Sequence, residues 1–439
     1  MKVKYWGEYA KYTCLNVLGM IGLSCYILAD TYFVAKGLGS KGLAALNLAI
    51  PVYSFIHGSG LMLGMGGATR YSMAKGQGQR KLMDEAFTCT LLLLGCFAGI
   101  FFLTGIFGGG KITGLLGADR EVFAMCRTYL RVLLLFAPAF MLNDVLLCFV
   151  RNDGAPRLSM TAMLAGSISN IILDYVFIFG LRMGIFGAVL ATGFAPVISM
   201  AVLSVFLIKG RNQFCPVRCK VKVSAAKHIF AGGVPSLVAE LSSGIVMMIF
   251  NGIILSLEGN TGVAAYGVIA NLSLVVIAVF TGIAQGIQPI VSRYYGMKNQ
   301  EALRAVFWYA VITAAVLSGL VYAGISLGAD DVAAVFNREG NQRLREIAVR
   351  GMRIYFTGCL PAGFNIVLSV YLTSVDKAKP AGVISLLRGI IVILPVTFLL
   401  PAVLGMTGLW LSFPVTEMLV GITGISLCRK LKVLDTVGR

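Results

Sequence analysis

The chain has 439 residues, 58% of them hydrophobic and only 13% charged, with a mean hydropathy of +0.85. A water-soluble domain of that composition could not cover its apolar surface, so soluble enzymes and nucleic-acid-binding domains are excluded. The formal net charge of +18 does not restore a nucleic-acid reading, because the basic residues fall in alternate loops between apolar runs and form no single patch.

Apolar runs of roughly the 20 residues that cross a bilayer recur along the chain. They lie near 13–35, 43–67, 87–107, 125–149, 158–179, 185–208, 229–256, 264–291, 305–327, 350–373, 382–401 and 406–428. The expected fold is an all-α integral membrane protein of about twelve transmembrane helices. MKVKYWGEYAK precedes the first run and no small-residue cleavage pattern follows it, so that run reads as a retained span, not a signal peptide. Lys and Arg concentrate at both ends and in the loops near 70–81, 151–157, 209–227, 293–304 and 377–379. By the positive-inside rule both termini are then cytoplasmic, in a multi-pass plasma or inner membrane. The segment 329–350 departs from the rule: Arg338, Arg343, Arg345 and Arg350 fall outside, partly offset by Asp330, Asp331, Glu339 and Glu346.

The first span, CYILADTYFV over 25–34, carries Asp30 among apolar residues. A charged side chain near the bilayer centre costs roughly 2.5–3.5 kcal/mol on insertion scales, so Asp30 needs partners or a watery cavity. The second span holds GSGLMLGMGG over 58–67, whose small residues let helix backbones approach, and His57, expected to be packed or hydrogen-bonded. Asn143 and Asp144 lie near the cytoplasmic end of the fourth span, where Asp144 is expected to cap the interface or pair with Arg151. Asn170 and Asp174 are four apart and stack on one face of the fifth span, and Thr192 lies in the sixth. Counted from the outer ends of their spans at 1.5 Å per residue, Asp30, Asp174 and Thr192 agree in depth within about 5 Å. Two carboxylates in a low-dielectric pocket cannot both ionise cheaply, so one holds a proton or the pair holds a cation. With Asn and Thr oxygens the set suits Na⁺ or exchange with H⁺; the alternative is a set of interhelical hydrogen bonds.

The basic segment 209–227 contains Cys215 and Cys219, read as ordinary reduced thiols because no further ligands accompany them. In the seventh span Glu240 is a lone acid that could bind a cationic substrate, carry a second proton, or pair across the cleft. Arg388, early in the eleventh span, is expected to snorkel to the cytoplasmic surface, with a supporting functional role as the alternative. Prolines 51, 138, 196, 235, 289, 361, 395 and 414 lie where they can bend spans.

Segments also recur at an offset of 220 to 224: Gly60 to Gly64 against Gly282 to Gly286, Ala155-Pro156 against Lys379-Pro380, and Gly184 to Gly187 against Gly405 to Gly408. About six spans per half predicts two six-helix bundles, 1–208 and 228–439, joined by the linker 209–227 and related by a pseudo-twofold axis along the membrane normal. By that offset Asp30 falls near Asn251 and Glu240 near Gly19, so each acid belongs to one half only.

Several stretches together resemble the multidrug and toxic compound extrusion (MATE) transporters. They are ADTYFVAKGLG with GLAALNLAIP, TRYSMAKGQG, FVRNDGAPRLSM, SISNIILDYVFIFGLRMGIFGAVLAT, GVPSLVAE, GIQPIVSRYYG and SLLRGIIVILP. The resemblance implies a V-shaped pair of bundles and an antiporter, driven by inward Na⁺ or H⁺, that exports lipophilic, often cationic compounds by alternating access. It places a cation site, and Na⁺ where that is the ion, at Asp30, Asn170, Asp174 and Thr192, and a second acid at Glu240. Asn143 and Arg388 are candidate supporting residues from their own chemistry and position in the spans, not from the resemblance. Members with a second-lobe cation site use an aspartate in the tenth span, where this chain offers Asn365 and no acid. The protein is expected to be a monomer in the lipid bilayer, with no cofactor, no enzymatic activity and no nucleic-acid partner. The competing readings are a lipid-linked oligosaccharide flippase, which would line its cavity with several arginines, and a receptor or scaffold without coupled transport.

Overall fold

A computed structural model of the chain describes residues 3–218, 223–336 and 341–430. Cys219, Lys220, Lys222, Arg338, Glu339 and Lys432 therefore lie outside the described residues. Every regular element among the described residues is helical. In the first half these are α1 (Trp6–Gly76), α2 (Arg80–Phe107), α3 (Gly109–Leu115), α4 (Phe123–Leu135), α5 (Ala137–Asn152), α6 (Pro156–Tyr175) and α7 (Gly184–Ile208). The second half comprises α8 (Val223–Gly296), α9 (Gln300–Leu327), α10 (Ala329–Phe336), α11 (Gln342–Tyr355), α12 (Cys359–Ser374), α13 (Ala378–Leu386) and α14 (Ile393–Lys430).

Three of these are two spans joined end to end. The backbone leaves helical geometry at Gly39 in α1 (φ 66°, ψ −160°), at Gly259 in α8 (φ 62°, ψ −155°) and at Gly405 in α14 (φ 56°, ψ −137°). A β-carbon is strongly disfavoured there, so glycine sets where each long helix turns. Helices α4 and α5 meet at a 47° bend with Pro138 in the first turn of α5, where a missing N–H and a fixed φ suit a helix start. Dividing the three broken helices and treating the bent pair as one span leaves six spans before the linker and six after it among the described residues.

Positive φ angles recur with the sequence offset: Gly39 with Gly259, Gly78 with Lys298, Gly154 with Asp376, and Gly184 with Gly405. Short π-turns also occur in both halves, at Val176–Gly180 after α6 and at Leu387–Ile391 after α13. The repeat is thus a repeat of backbone path as well as of residues.

The chain forms two compact units, one of residues 14–241 with 292–297 and one of residues 1–13, 242–291 and 298–439. In the first unit α7 packs on α4, α5 and α6. The glycine-rich stretch of α1 lies against α5: a β-carbon on Gly60 would stand 2.5 Å from Asp144 Oδ2 and 3.0 Å from Met141 Cα. Close helix packing is therefore what these glycines do. At the linker end of this unit Asp153 is held by Tyr71 Oη (2.6 Å), Lys75 Nζ (2.9 Å) and the backbone N–H of Gln213 (2.7 Å). Phe214 is buried among Tyr71, Phe87 and Phe149, and Cys215 N–H donates to Asp84 (2.8 Å). The start of the linker is thus stitched to the unit.

In the second unit α12 packs against α9, α13 and α14. Tyr9 donates to Thr313 Oγ1 at 2.8 Å, and Phe250, Tyr266 and Trp410 form an aromatic row. Two arginines of the exceptional basic segment are paired at its surface, Arg343 with Glu258 (2.6 Å) and Arg345 with Asp330 (2.8 Å). Exposed pairs of this kind contribute little stability, but they neutralise those two charges.

Candidate functional site

Helix α6 carries Asn170 and Asp174 on one face, as the four-residue spacing requires, and both are fully buried. Asp30 from α1 (8% exposed) and Thr192 from α7 (5% exposed) close the cluster. The Asn170 amide donates through Nδ2 to Asp174 Oδ2 (3.1 Å) and accepts through Oδ1 from the Thr192 N–H (3.3 Å). The Asp30 and Asp174 carboxyls lie within hydrogen-bond reach of each other. Two carboxylates in that position repel unless a proton or a cation lies between them. Asp30 Oδ1 and Asp174 Oδ1 are buried and receive no N–H or O–H from any described residue. The four residues expected to converge from their depth and spacing are brought together within one unit, and the π-turn at Val176–Gly180 begins two residues after Asp174. Single-turn insertions of that type occur frequently at functional sites.

A second polar group lies in the same unit. His57 Nδ1 is 3.0 Å from Asp144 Oδ2, Tyr53 stacks on the imidazole at 5.8 Å between centroids, and Tyr53 shares a 2.9 Å hydrogen bond with Tyr26. Asp144 pairs with His57 and does not cap the interface; the buried Arg151 goes instead to Asn16 Oδ1 (2.5 Å). Sequence spacing pointed to Arg151 because both residues lie on α5, whereas His57 comes from a helix packed across it. Glu240, on α8, lies against Gly58 next to His57, its β-carbon 3.1 Å from where one on Gly58 would stand. Asn143 is half-buried, and its Oδ1 has no hydrogen-bond partner among the described residues.

Arg388 does not snorkel. Its Nε lies 2.5 Å from Glu417 Oε1, and Asn365 Nδ2 donates to Glu417 Oε2 at 2.8 Å and to the Glu417 carbonyl at 2.8 Å. A carboxylate within reach in the next helix satisfies the guanidinium better than a climb to the surface. Glu417 was missed from the sequence. The signal was present, since it is an acid inside the apolar run 406–428 and the cost that singles out Asp30 applies equally to it.

The MatE family model matches residues 17–176 and 235–399. The chain belongs to the MatE family. Relatives within the family include the multidrug export protein MepA of Staphylococcus aureus (strain MRSA252), 25% identical over 96% of this chain and 93% of that protein. MepA of Staphylococcus saprophyticus is 24% identical over the same shares. A crystal structure of MATE in complex with MaL6 superimposes with a TM-score of 0.92 at 24% identity, covering 98% of this chain and 97% of that one. The fold is therefore the twelve-helix fold of MATE transporters, in a multi-pass membrane protein.

Proposed function

We propose that this MatE-family protein is a cation-coupled antiporter that exports lipophilic, often cationic compounds by alternating access, with Asp30, Asn170, Asp174 and Thr192 as the coupling site. The observation that carries the reading is the buried pair of facing carboxyls with no basic group among the described residues joined to either. Such a pair is stable only with a proton or cation bound, so its occupancy follows the ion concentration on whichever side it faces. The bound ion, H⁺ or Na⁺, favours one arrangement of the site and the departing compound the other; coupling requires that difference, because a ligand that binds both states equally shifts neither. The two bundles divide at the 209–227 linker, both termini are cytoplasmic, and the protein works as a monomer. The kinship with MepA, a multidrug export protein, supports the substrate class.

A lipid-linked oligosaccharide flippase is the weaker alternative. Its diphosphate would need several free arginines within the spans; here Arg151 is tied to Asn16 and Arg388 to Glu417, while Arg131 is exposed.

The test is ethidium efflux from proteoliposomes with Na⁺ and H⁺ gradients imposed separately. Wild type exports under one of them, and Asp30→Asn, folded to the same thermal midpoint, does not. Normal export by the variant would remove the carboxyl pair from the mechanism.

A further inference from the structure

The second unit holds a buried charge cluster that the coupling site does not use. Glu417 on α14 is 2% exposed and is gripped on one oxygen by Arg388 and on the other by Asn365. Phe413 sits one turn earlier on the same face of α14, and Tyr355 stacks on it with centroids 4.5 Å apart and planes 11° from parallel. Asn365 is fully buried, yet its Oδ1 accepts no hydrogen bond from any described residue; it faces Gly421, where a β-carbon would come within 3.3 Å. A carboxylate, an unused carbonyl acceptor and stacked aromatic rings are the parts of a receptor for an organic cation. The guanidinium of Arg388 fills the cationic role in this structure. Arg388 is also the more accessible partner, its side chain 21% exposed against 3% for Glu417, and it stands in the π-turn Leu387–Ile391.

We propose that Glu417, Asn365, Phe413 and Tyr355 form an organic-cation subsite in the second unit, closed by Arg388, and that a lipophilic cation binds by taking the place of the guanidinium on Glu417. Exchange of one cation for another keeps the buried carboxylate compensated throughout, which avoids the large cost of an unpaired buried charge. The choice of ligand rests on the export reading, but binding at equilibrium needs no gradient.

The experiment is ethidium binding to the purified full-length protein in detergent, followed by fluorescence polarisation. Glu417→Gln weakens binding about tenfold or more, and Phe413→Leu, which leaves the ion pair intact, weakens it about threefold. Arg388→Gln removes the internal competitor and tightens binding about tenfold, and ethidium then raises the thermal midpoint of this variant more than that of wild type. A purely structural ion pair gives the opposite sign for Arg388→Gln. If Glu417→Gln does not fold, Phe413→Leu and Gly421→Ala decide, the added methyl crowding Asn365 Oδ1. Wild-type affinity in both of those, or unchanged or weaker binding by Arg388→Gln, overturns the proposal even where gradient-driven efflux is intact. Tightened binding by Arg388→Gln, with no efflux by wild type under either gradient, upholds the subsite and refutes the export reading.

Discussion

Asp144 and Asp174 are carboxyls at comparable burial, held by opposite means. Asp144 has His57 at 3.0 Å, so truncating the histidine leaves a carboxylate whose side chain is 7% exposed without its partner. His57→Ala is expected to destabilise the protein by about 3 kcal/mol, read as a lowered thermal midpoint in detergent. Asp174 faces a second acid, and its replacement by asparagine removes a repulsion that otherwise demands a proton or cation. Asp174→Asn is therefore expected to keep or raise the thermal midpoint while abolishing gradient-driven efflux. A midpoint that falls together with the activity would mark Asp174 as structural. The two variants separate a group that holds the helices together from one whose charge is used.

At the scale of elements, the breaks in the long helices and the stitched linker have separate causes. Gly39 and Gly259 occupy backbone regions nearly closed to other residues, so Gly39→Val is expected to cost about 1–3 kcal/mol, visible in the thermal midpoint. The linker start is held through Asp153, which gathers Tyr71, Lys75 and the Gln213 N–H. Removing that carboxylate takes the charged partner from the half-buried Lys75 ammonium, which keeps the Asp153 backbone carbonyl, and loosens the segment around Phe214. Asp153→Ala is expected to lose about 3 kcal/mol and to be cleaved faster by trypsin at Arg211 and Arg218. Equal cleavage rates would show that Phe214 and the Cys215 and Val217 N–H bonds to Asp84 and Thr88 hold the segment without Asp153. These elements were legible to different degrees. The six-and-six span pattern follows from hydropathy and the repeat from glycine and proline spacing, but hydropathy does not show that single glycines, Gly39 and Gly259, turn the chain between successive spans with no intervening loop. The π-turns at Val176–Gly180 and Leu387–Ile391 left no compositional trace, because an extra residue in a turn does not alter its apolar character.

For the whole molecule, Lys and Arg fall in alternate loops, the pattern from which the proposed orientation in the membrane follows. From that pattern both termini are proposed to be cytoplasmic, so a green fluorescent protein fused after Arg439 is expected to fluoresce and an alkaline phosphatase fused there to be inactive. The reverse pattern would turn the coupling site toward the opposite compartment. In the segment 329–350, which departs from the alternation, Arg343 is paired with Glu258 and Arg345 with Asp330.

The sequence by itself determined that the chain crosses a membrane about twelve times, that its halves repeat, that Asp30, Asp174 and Thr192 lie at one depth, and that Asn170 shares a helix face with Asp174. These follow from length, period and the cost of burying charge, all of which are local or additive along the chain. Only the tertiary structure decided which partner each buried charge takes. His57 meets a residue 87 positions away, Asn365 one 52 away and Arg388 one 29 away, each in a different helix. Depth can be counted along a span, but side chains advance about 100° per residue around the helix, and which face meets which neighbour is settled by packing.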